Sequence, residues 1–205
     1  MHKLSGLYLV TPDWDDTAQL LTSSEQALKG GATILQYRHK SADAALRLQQ
    51  ARALQELCVS YGCLFIINDY VDLCLELNAD GIHVGGTDAS VAEVRKAVGP
   101  NKIVGASCYG DLQLAHRSYR EGASYVAFGG FYPSRIKKYP VTTPFGIVTQ
   151  SKHEIPLPVV VIGGMTTENC PSLIAAGADM VAAISSVYMT ENPEVAARSF
   201  IELFI

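Results

Sequence analysis

The sequence contains no Cys-x-x-Cys pair, no cluster of basic residues and no apolar stretch near the length of a membrane span. A membrane-spanning helix needs roughly 20 consecutive apolar residues, so we expect no transmembrane segment. The apolar run close to the N-terminus is too short for a signal peptide. The five cysteines are an odd number, and each lies in or beside an apolar segment. This favours buried free thiols in a reducing compartment, and we expect a cytoplasmic protein.

Positive charge is also scarce. The chain has 16 Lys and Arg residues against 20 Asp and Glu residues, which gives a net charge of −4. Without a basic surface or a Lys/Arg stripe interleaved with aromatic residues, we expect no nucleic-acid partner. Net charge says little about a single pocket, so a small anionic ligand stays compatible with this composition. The chain is rich in hydrophobic residues, at 48% of 205, which is enough for a large core.

Short apolar runs alternate with longer amphipathic ones in about eight units of roughly 25 residues. The predicted strands are 6–11, 33–38, 64–68, 81–84, 102–107, 125–130, 158–164 and 180–185. Among the helices between them, the segment 41–62 is the clearest, with Ser41 as its predicted cap, and another is expected around 144–153. Parallel strands need such crossover connections, so the alternation predicts a parallel sheet.

Two architectures suit this pattern, a closed (β/α)₈ barrel and an open doubly wound sheet. Several strands are apolar throughout, as expected for strands that are buried on both faces. We favour the barrel, as one TIM-barrel domain over residues 1–205, because no unit is missing and no residues are left for a second domain.

Polar side chains, and a glycine pair with backbone N–H groups, lie at or just after the C-terminal ends of the predicted strands, where a barrel of this kind has its active site. They are Gln36, Arg38, Lys40, Asn68, Asp69, His83, Asp88, Ser107, Lys137, Lys138, Gly163, Gly164, Ser185 and Ser186. Cations with two carboxylates suggest a phosphate ester held with Mg²⁺, whereas Zn²⁺ would need a His/Cys cluster. Other interpretations stay open: Asp69 and Asp88 as helix caps, the glycine pair as a plain turn, and His83 as a core residue.

Five segments together resemble the thiamine-phosphate synthase family. They are "LQYRHK", "FIINDYVDLCLELNADGIHVGGTD", "GASYVAFGGFYPSRIKK", "PVVVIGGMTTEN" and "GADMVAAISS", in that order along nearly the whole chain. The resemblance implies a Mg²⁺-dependent coupling of a pyrimidine diphosphate with a thiazole phosphate. The products would be thiamine phosphate and pyrophosphate, and the reaction would pass through a pyrimidine carbocation.

The resemblance also implies a role for individual residues. Contacts to the pyrimidine diphosphate would come from Gln36, Arg38, Lys40 and Asn68, and Mg²⁺ would be held by Asp69 and Asp88. The catalytic residues at the pyrophosphate would be Ser107 and Lys137. The thiazole phosphate would lie near Ser134 and bind backbone groups of Gly164, Ile184 and Ser185.

Some positions depart from the family pattern, namely His39, Gly86, Tyr109, Gly130, Ser134 and Ile136. Ile136 replaces a threonine, and a lost hydroxyl donor to a phosphate weakens binding by about 1–3 kcal/mol. A paralogue resembling thiazole tautomerase is one alternative, although that enzyme lacks the metal-binding carboxylates and uses a histidine where Tyr109 stands. The other is a non-catalytic barrel that binds thiamine precursors. A homo-oligomer also stays possible.

Overall fold

The computed structural model describes residues 4–85, 90–133 and 142–205. Eight parallel strands form a closed barrel in which each strand pairs with its neighbours in chain order and the last pairs with the first. The strands are β1 (Gly6–Val10), β2 (Ile34–Tyr37), β3 (Leu64–Asn68), β4 (Gly81–Val84), β5 (Ile103–Tyr109), β6 (Tyr125–Gly129), β7 (Val159–Ile162) and β8 (Met180–Ala183). The predicted (β/α)₈ barrel is confirmed, and the open sheet is excluded.

Helices connect the strands around the outside of the barrel. Within the described ranges they are α1 (Thr17–Lys29), α2 (Ala44–Tyr61), α3 (Val71–Glu76), α4 (Val91–Val98), α5 (Leu112–Arg120), α6 (Gly146–Glu154), α7 (Pro171–Ala175), α8 (Ser185–Tyr188) and α9 (Pro193–Ile201). The predicted cap of α2 was wrong: Asp43, not Ser41, precedes the first turn, and its carboxylate accepts a hydrogen bond from Leu46 N. The short α8 was not predicted.

The strands are buried on both faces, which explains their continuous apolar runs. One hydrophobic cluster fills the interior of the barrel and includes Tyr8, Ile66 and Tyr125. The larger cluster lies between the barrel and its helices and includes Leu7 and Phe65. Because side chains alternate along a strand, residues that follow one another at a strand's end also alternate between the interior and the helices.

A glycine makes room for one of the large interior side chains. A Cβ atom at Gly105 on β5 would lie 2.0 Å from Cζ of Tyr125 on the neighbouring β6. The missing side chain therefore leaves room for the Tyr125 ring in the barrel interior.

All five cysteines are buried and free, as predicted. No helix in the described part of the chain is long and apolar enough to cross a bilayer.

Candidate active site

Two adjoining cavities open at the C-terminal ends of the strands. The first has a volume of about 380 Å³ and is lined by Gln36, Arg38, Lys40, Asn68, Asp69 and His83; we name it the β2–β4 half. The second has a volume of about 240 Å³ and is lined by Gly129, Gly130, Tyr132, Thr143, Gly164, Met165 and Ser185; we name it the β6–β8 half. Both halves share the residues between them, which are Ser107, Tyr109, Ala127, Ile162, Ala182 and Ile184.

Two cations stand at the rim of the β2–β4 half, and one carboxylate orients both. Arg38 Nη1 donates to Asp13 Oδ1 at 3.1 Å, and the backbone N–H of Lys40 donates to the same oxygen at 3.1 Å. Thr11 fixes the strand end from the other side, because its hydroxyl donates to Arg38 O and accepts from Arg38 N. Sequence reasoning missed Asp13 and Thr11, although both are polar residues at the C-terminal end of the first predicted strand or just after it.

Asp69 projects its carboxylate into the same half. Its Oδ2 accepts hydrogen bonds from Lys40 Nζ and from Asn68 Nδ2, each at 2.7 Å. Its backbone has a φ of 64°, a left-handed conformation that Asp tolerates better than most residues. The residue that caps α3 is Tyr70, so the Asp69 side chain is not a helix cap. The cap of α4 is Ser90, which forms a capping box with Glu93.

The donor set at Asp69 fits a Mg²⁺ ion. Mg²⁺ is commonly bound through one or two carboxylates together with substrate phosphates and waters, rather than by a cage of protein ligands. The described residues contain no group of three or more His, Cys, Asp or Glu side chains that could hold a metal. Among these residues, the second carboxylate oxygen of Asp69, Oδ1, has no hydrogen-bond partner, while Lys40 and Asn68 hold Oδ2.

A row of polar side chains crosses the interior beneath the β2–β4 half. Gln36 Nε2 donates to the Tyr8 hydroxyl at 2.8 Å, and the hydroxyls of Tyr8 and Tyr125 lie 2.6 Å apart. His83 connects this row to the cavity, with Nδ1 2.9 Å from the Tyr125 hydroxyl and Nε2 2.9 Å from Ser107 Oγ. Burial raises the pKa of Tyr8 and of Tyr125 far above the ordinary value, so both phenols stay protonated.

The β6–β8 half is built around a tight glycine turn after β7. Gly163 and Gly164 have φ values of 94° and 67°, and a Cβ at Gly164 would lie 2.3 Å from Pro133 O. Asn169, which sequence reasoning missed, holds this turn because its Nδ2 donates to Gly164 O at 2.8 Å. The glycine pair is therefore more than a plain turn, since it lets two chain segments approach at the cavity wall.

Ile184 and Ser185 close the β6–β8 half from the β8 side. Ser185 is the first residue of α8, and the first N–H groups of a helix have no acceptor within it. These groups lie at the wall that Gly164 also lines.

Three of the residues that depart from the family pattern lie in the described part of the chain. His39 points away from the cavity: its side chain is buried, Nδ1 accepts from Ala42 N, and Nε2 lies 3.0 Å from Asp15 Oδ1. Tyr109 has a φ of 52° at a register shift between β5 and β6, and it lines both halves. The carbonyl of Gly130 accepts from the N–H groups of residues 142 and 143, which ties the chain back to β6.

The predicted site residues thus fall into three groups. The β2–β4 half brings together Gln36, Arg38, Lys40, Asn68, Asp69 and Ser107, and the β6–β8 half brings together Ser107, Gly164, Ile184 and Ser185. Asp88, Ser134 and Lys137 lie outside the described residues, as do Gly86 and Ile136. The roles that the resemblance implies for all of these residues stay predictions.

Sequence comparison places the chain close to known proteins. A family model described as thiamine monophosphate synthase matches residues 7–187. A thiamine-phosphate synthase of Janthinobacterium sp. (strain Marseille) is 66% identical over 201 residues, which cover 98% of this chain and 97% of that protein. A thiamine-phosphate synthase of Thioalkalivibrio sulfidiphilus is 45% identical, with 99% of this chain and 97% of that protein covered.

Structural comparison agrees with this. A solved thiamine phosphate pyrophosphorylase from Pyrococcus furiosus superposes with a TM-score of 0.86 at 28% identity, covering 98% of this chain and 95% of that one. A 3-hexulose-6-phosphate synthase superposes with a TM-score of 0.71 at 17% identity, covering 97% of this chain and 99% of that one. At this identity the similarity shows the fold alone.

Proposed function

Since the chain belongs to the thiamine monophosphate synthase family, we propose that it is a thiamine-phosphate synthase. The reaction couples 4-amino-2-methyl-5-hydroxymethylpyrimidine diphosphate with 4-methyl-5-(2-phosphoethyl)thiazole. The products are thiamine phosphate and pyrophosphate, so the enzyme is a transferase of the pyrimidinylmethyl group. The buried free thiols support a reducing, cytoplasmic compartment.

One observation carries the proposal beyond family membership. The two halves of the cavity differ in charge and meet at Ser107. Arg38, Lys40 and Asp69 are confined to the β2–β4 half, which suits a diphosphate and its counter-ion. The β6–β8 half has the glycine turn at Gly164 and apolar walls, which suit a thiazole ring with a single phosphate. Two substrates placed in this way meet next to Ser107, where the new bond would form.

The first step breaks the bond between the pyrimidine methylene carbon and the diphosphate oxygen. The bonding electrons leave with the pyrophosphate, and the methylene carbon becomes a carbocation. Arg38, Lys40 and Asn68 neutralise or hydrogen-bond the growing negative charge, and preorganised groups of this kind are a large source of catalysis. Lys137 and Ser107 act on the same leaving group. Gln36 lines the cavity with an oxygen, Oε1, that has no hydrogen-bond partner among the described residues, and it is available to the pyrimidine amino group.

Asp69 and Asp88 would hold Mg²⁺ at the diphosphate. When bound, the ion supplies positive charge that stabilises the departing pyrophosphate. Lys40 and Asn68 keep the Asp69 carboxylate in place through its Oδ2.

In the second step, the thiazole nitrogen donates its lone pair to the methylene carbon, which forms the carbon–nitrogen bond and leaves the positive charge on the thiazolium ring. Ser134 and the backbone groups of Gly164, Ile184 and Ser185 bind the thiazole phosphate and fix the ring at the correct distance. The apolar residues Ile162 and Met165 at this wall limit the water that would otherwise capture the carbocation.

A product assay tests this function. Purified protein is incubated with both substrates and Mg²⁺, and thiamine phosphate and pyrophosphate are quantified, with each substrate omitted in turn. Equal amounts of both products, formed only when both substrates are present, are expected. Isomerisation of a thiazole phosphate without the pyrimidine would point to a tautomerase. Binding of the substrates without turnover would point to a non-catalytic barrel, and either result would reject the proposal.

A further inference from the structure

The row of side chains in the barrel interior forms one continuous chain of hydrogen bonds from β2 to β5. It runs from Gln36 through Tyr8, Tyr125 and His83 to Ser107, and consecutive polar atoms are 2.6–2.9 Å apart. Both tyrosines are at most 1% exposed. The His83 ring also stacks on the Tyr125 ring, with an interplanar angle of 19° and ring centroids 5.7 Å apart.

Each hydroxyl in this chain has one hydrogen to donate, so the direction of one bond sets the direction of the next. Tyr8 accepts from Gln36 Nε2, and directing its own hydrogen to the Tyr125 oxygen, 2.6 Å away, sets one direction for the whole row. In this direction Tyr125 donates to His83 Nδ1. A neutral imidazole that accepts at Nδ1 has its hydrogen on Nε2, and this hydrogen is donated to Ser107 Oγ.

The end of the chain is the serine at the junction of the two cavity halves. Because Ser107 Oγ accepts from His83, its own hydroxyl hydrogen is left to point into the cavity. In the opposite direction, with every hydrogen reversed, Ser107 would donate to His83 and would offer the cavity only lone pairs. The direction of the row thus decides whether Ser107 is a donor or an acceptor toward a ligand.

We propose that Tyr8 and Tyr125 are positioning residues that hold His83 as the neutral Nε2–H tautomer and thereby make Ser107 a hydrogen-bond donor to the ligand. Tyr8 lines the floor of the β2–β4 half, whereas Tyr125 lines neither half and acts through His83. Hydrogen bonds in such chains strengthen one another, so the whole row favours a single direction.

The catalytic consequence rests on the proposed function. A serine donor aimed at the diphosphate matters most when the leaving oxygen gains negative charge, since hydrogen bonds to charged groups are the stronger ones. A serine acceptor at the same position would repel that oxygen. If the hydrogen bonds of the row lose this direction, kcat should therefore fall by a larger factor than KM for the pyrimidine diphosphate rises.

The tautomer itself is measured without any substrate, by two-dimensional ¹⁵N NMR of the histidine-labelled wild-type protein at about pH 8.5, above the ordinary histidine pKa. Resonances of His83 are assigned by elimination with single His→Gln variants at the other four histidines. The expected spectrum has a protonated Nε2 and an unprotonated Nδ1. A protonated Nδ1, alone or together with a protonated Nε2, would overturn the proposal.

The Tyr125→Phe variant tests the role of the tyrosine, and Tyr37→Phe is the matched control. Tyr37 is also a buried strand tyrosine, but its hydroxyl donates to Gln50 Oε1, away from this chain. In Tyr125→Phe we expect the Nε2–H tautomer to lose its dominance. We also expect kcat to fall about tenfold or more, with KM for the pyrimidine diphosphate within about twofold. In Tyr37→Phe we expect kcat and KM to stay within about twofold of the wild-type values and the His83 tautomer to be unchanged.

Equal behaviour of the two variants would overturn the positioning role. Should Tyr125→Phe not fold, the wild-type spectrum alone still decides the direction of the chain. Should the wild-type protein make no thiamine phosphate, the proposed function fails, while the tautomer measurement remains a separate test.

Discussion

Replacing Asp69 with Asn removes one negative charge from the β2–β4 half while it keeps the shape of the side chain. Asn also tolerates the φ of 64° at this position, so backbone strain does not contribute to the result. The Lys40 partner is 50% exposed and the Asp69 side chain 21% exposed, and pairs of this kind contribute about 0–1 kcal/mol. We therefore expect the free energy of unfolding to fall by about 1 kcal/mol at most.

The same change should have a much larger effect on activity. It removes a proposed ligand of Mg²⁺ and the negative charge of that carboxylate, so we expect kcat/KM for the pyrimidine diphosphate to fall about a hundredfold or more. Steady-state coupling kinetics over a range of Mg²⁺ concentrations measure this loss, and urea denaturation measures the change in stability.

Asp179→Asn is the matched control for this prediction. Asp179 Oδ2 accepts from Lys152 Nζ and from Val159 N, each at 2.8 Å, and the side chain is 29% exposed. It precedes β8, at the end of the barrel opposite the cavity, so its replacement should cost similar stability and leave activity unchanged. An Asp69→Asn variant that retains more than about a tenth of wild-type kcat/KM, or that is no less active than Asp179→Asn, would refute the reasoning.

Three further predictions concern the cations, the glycine turn and the thiols. Arg38→Met should raise KM for the pyrimidine diphosphate about tenfold or more in steady-state assays, because a charged hydrogen-bond donor is lost; an effect only on KM for the thiazole phosphate would contradict this. Gly164→Ala should raise KM for the thiazole phosphate and lower the urea midpoint, because its Cβ would lie 2.3 Å from Pro133 O at a φ of 67°; wild-type values would contradict the tight approach. Burial raises the pKa of Cys108 to about 12 and of Cys170 to about 11. In the unfolded protein these thiols have a pKa of about 8.5, so they lose their protons at a lower pH than in the folded protein. The unfolded state is therefore favoured, and the urea midpoint should fall, as the pH rises from about 8.5 toward 11. A constant midpoint would contradict this.

Much of the fold was predictable because its signals are local and repeated. Apolar runs such as 64–68 and 81–84 became β3 and β4 within the same bounds, since strands buried on both faces admit few polar residues. Helix starts were less predictable, because several polar residues compete as caps. Ser41 and Asp43 both suit that role, and only the backbone geometry of the structure selects Asp43.

The residues at the rim of the site could be predicted from the topology, because the C-terminal ends of parallel strands meet at one end of a barrel. Arg38, Asp69 and Ser107 were therefore predictable as neighbours. The supporting residues were not, because Tyr125 reads as an ordinary apolar strand residue and Asp13 as a loop residue. Their roles depend on contacts across the barrel, such as the one between Asp13 and Arg38, which no local pattern encodes.

The most direct measurement is a crystal structure of the protein grown with thiamine phosphate, pyrophosphate and Mn²⁺ in place of Mg²⁺, with anomalous diffraction to locate the metal. The account predicts one metal peak that contacts Asp69, Asp88 and the pyrophosphate oxygens, with the methylene bridge of thiamine phosphate beside Ser107 and its phosphate at Gly164. A metal bound away from Asp69, or a thiamine phosphate with its phosphate in the β2–β4 half, would contradict it.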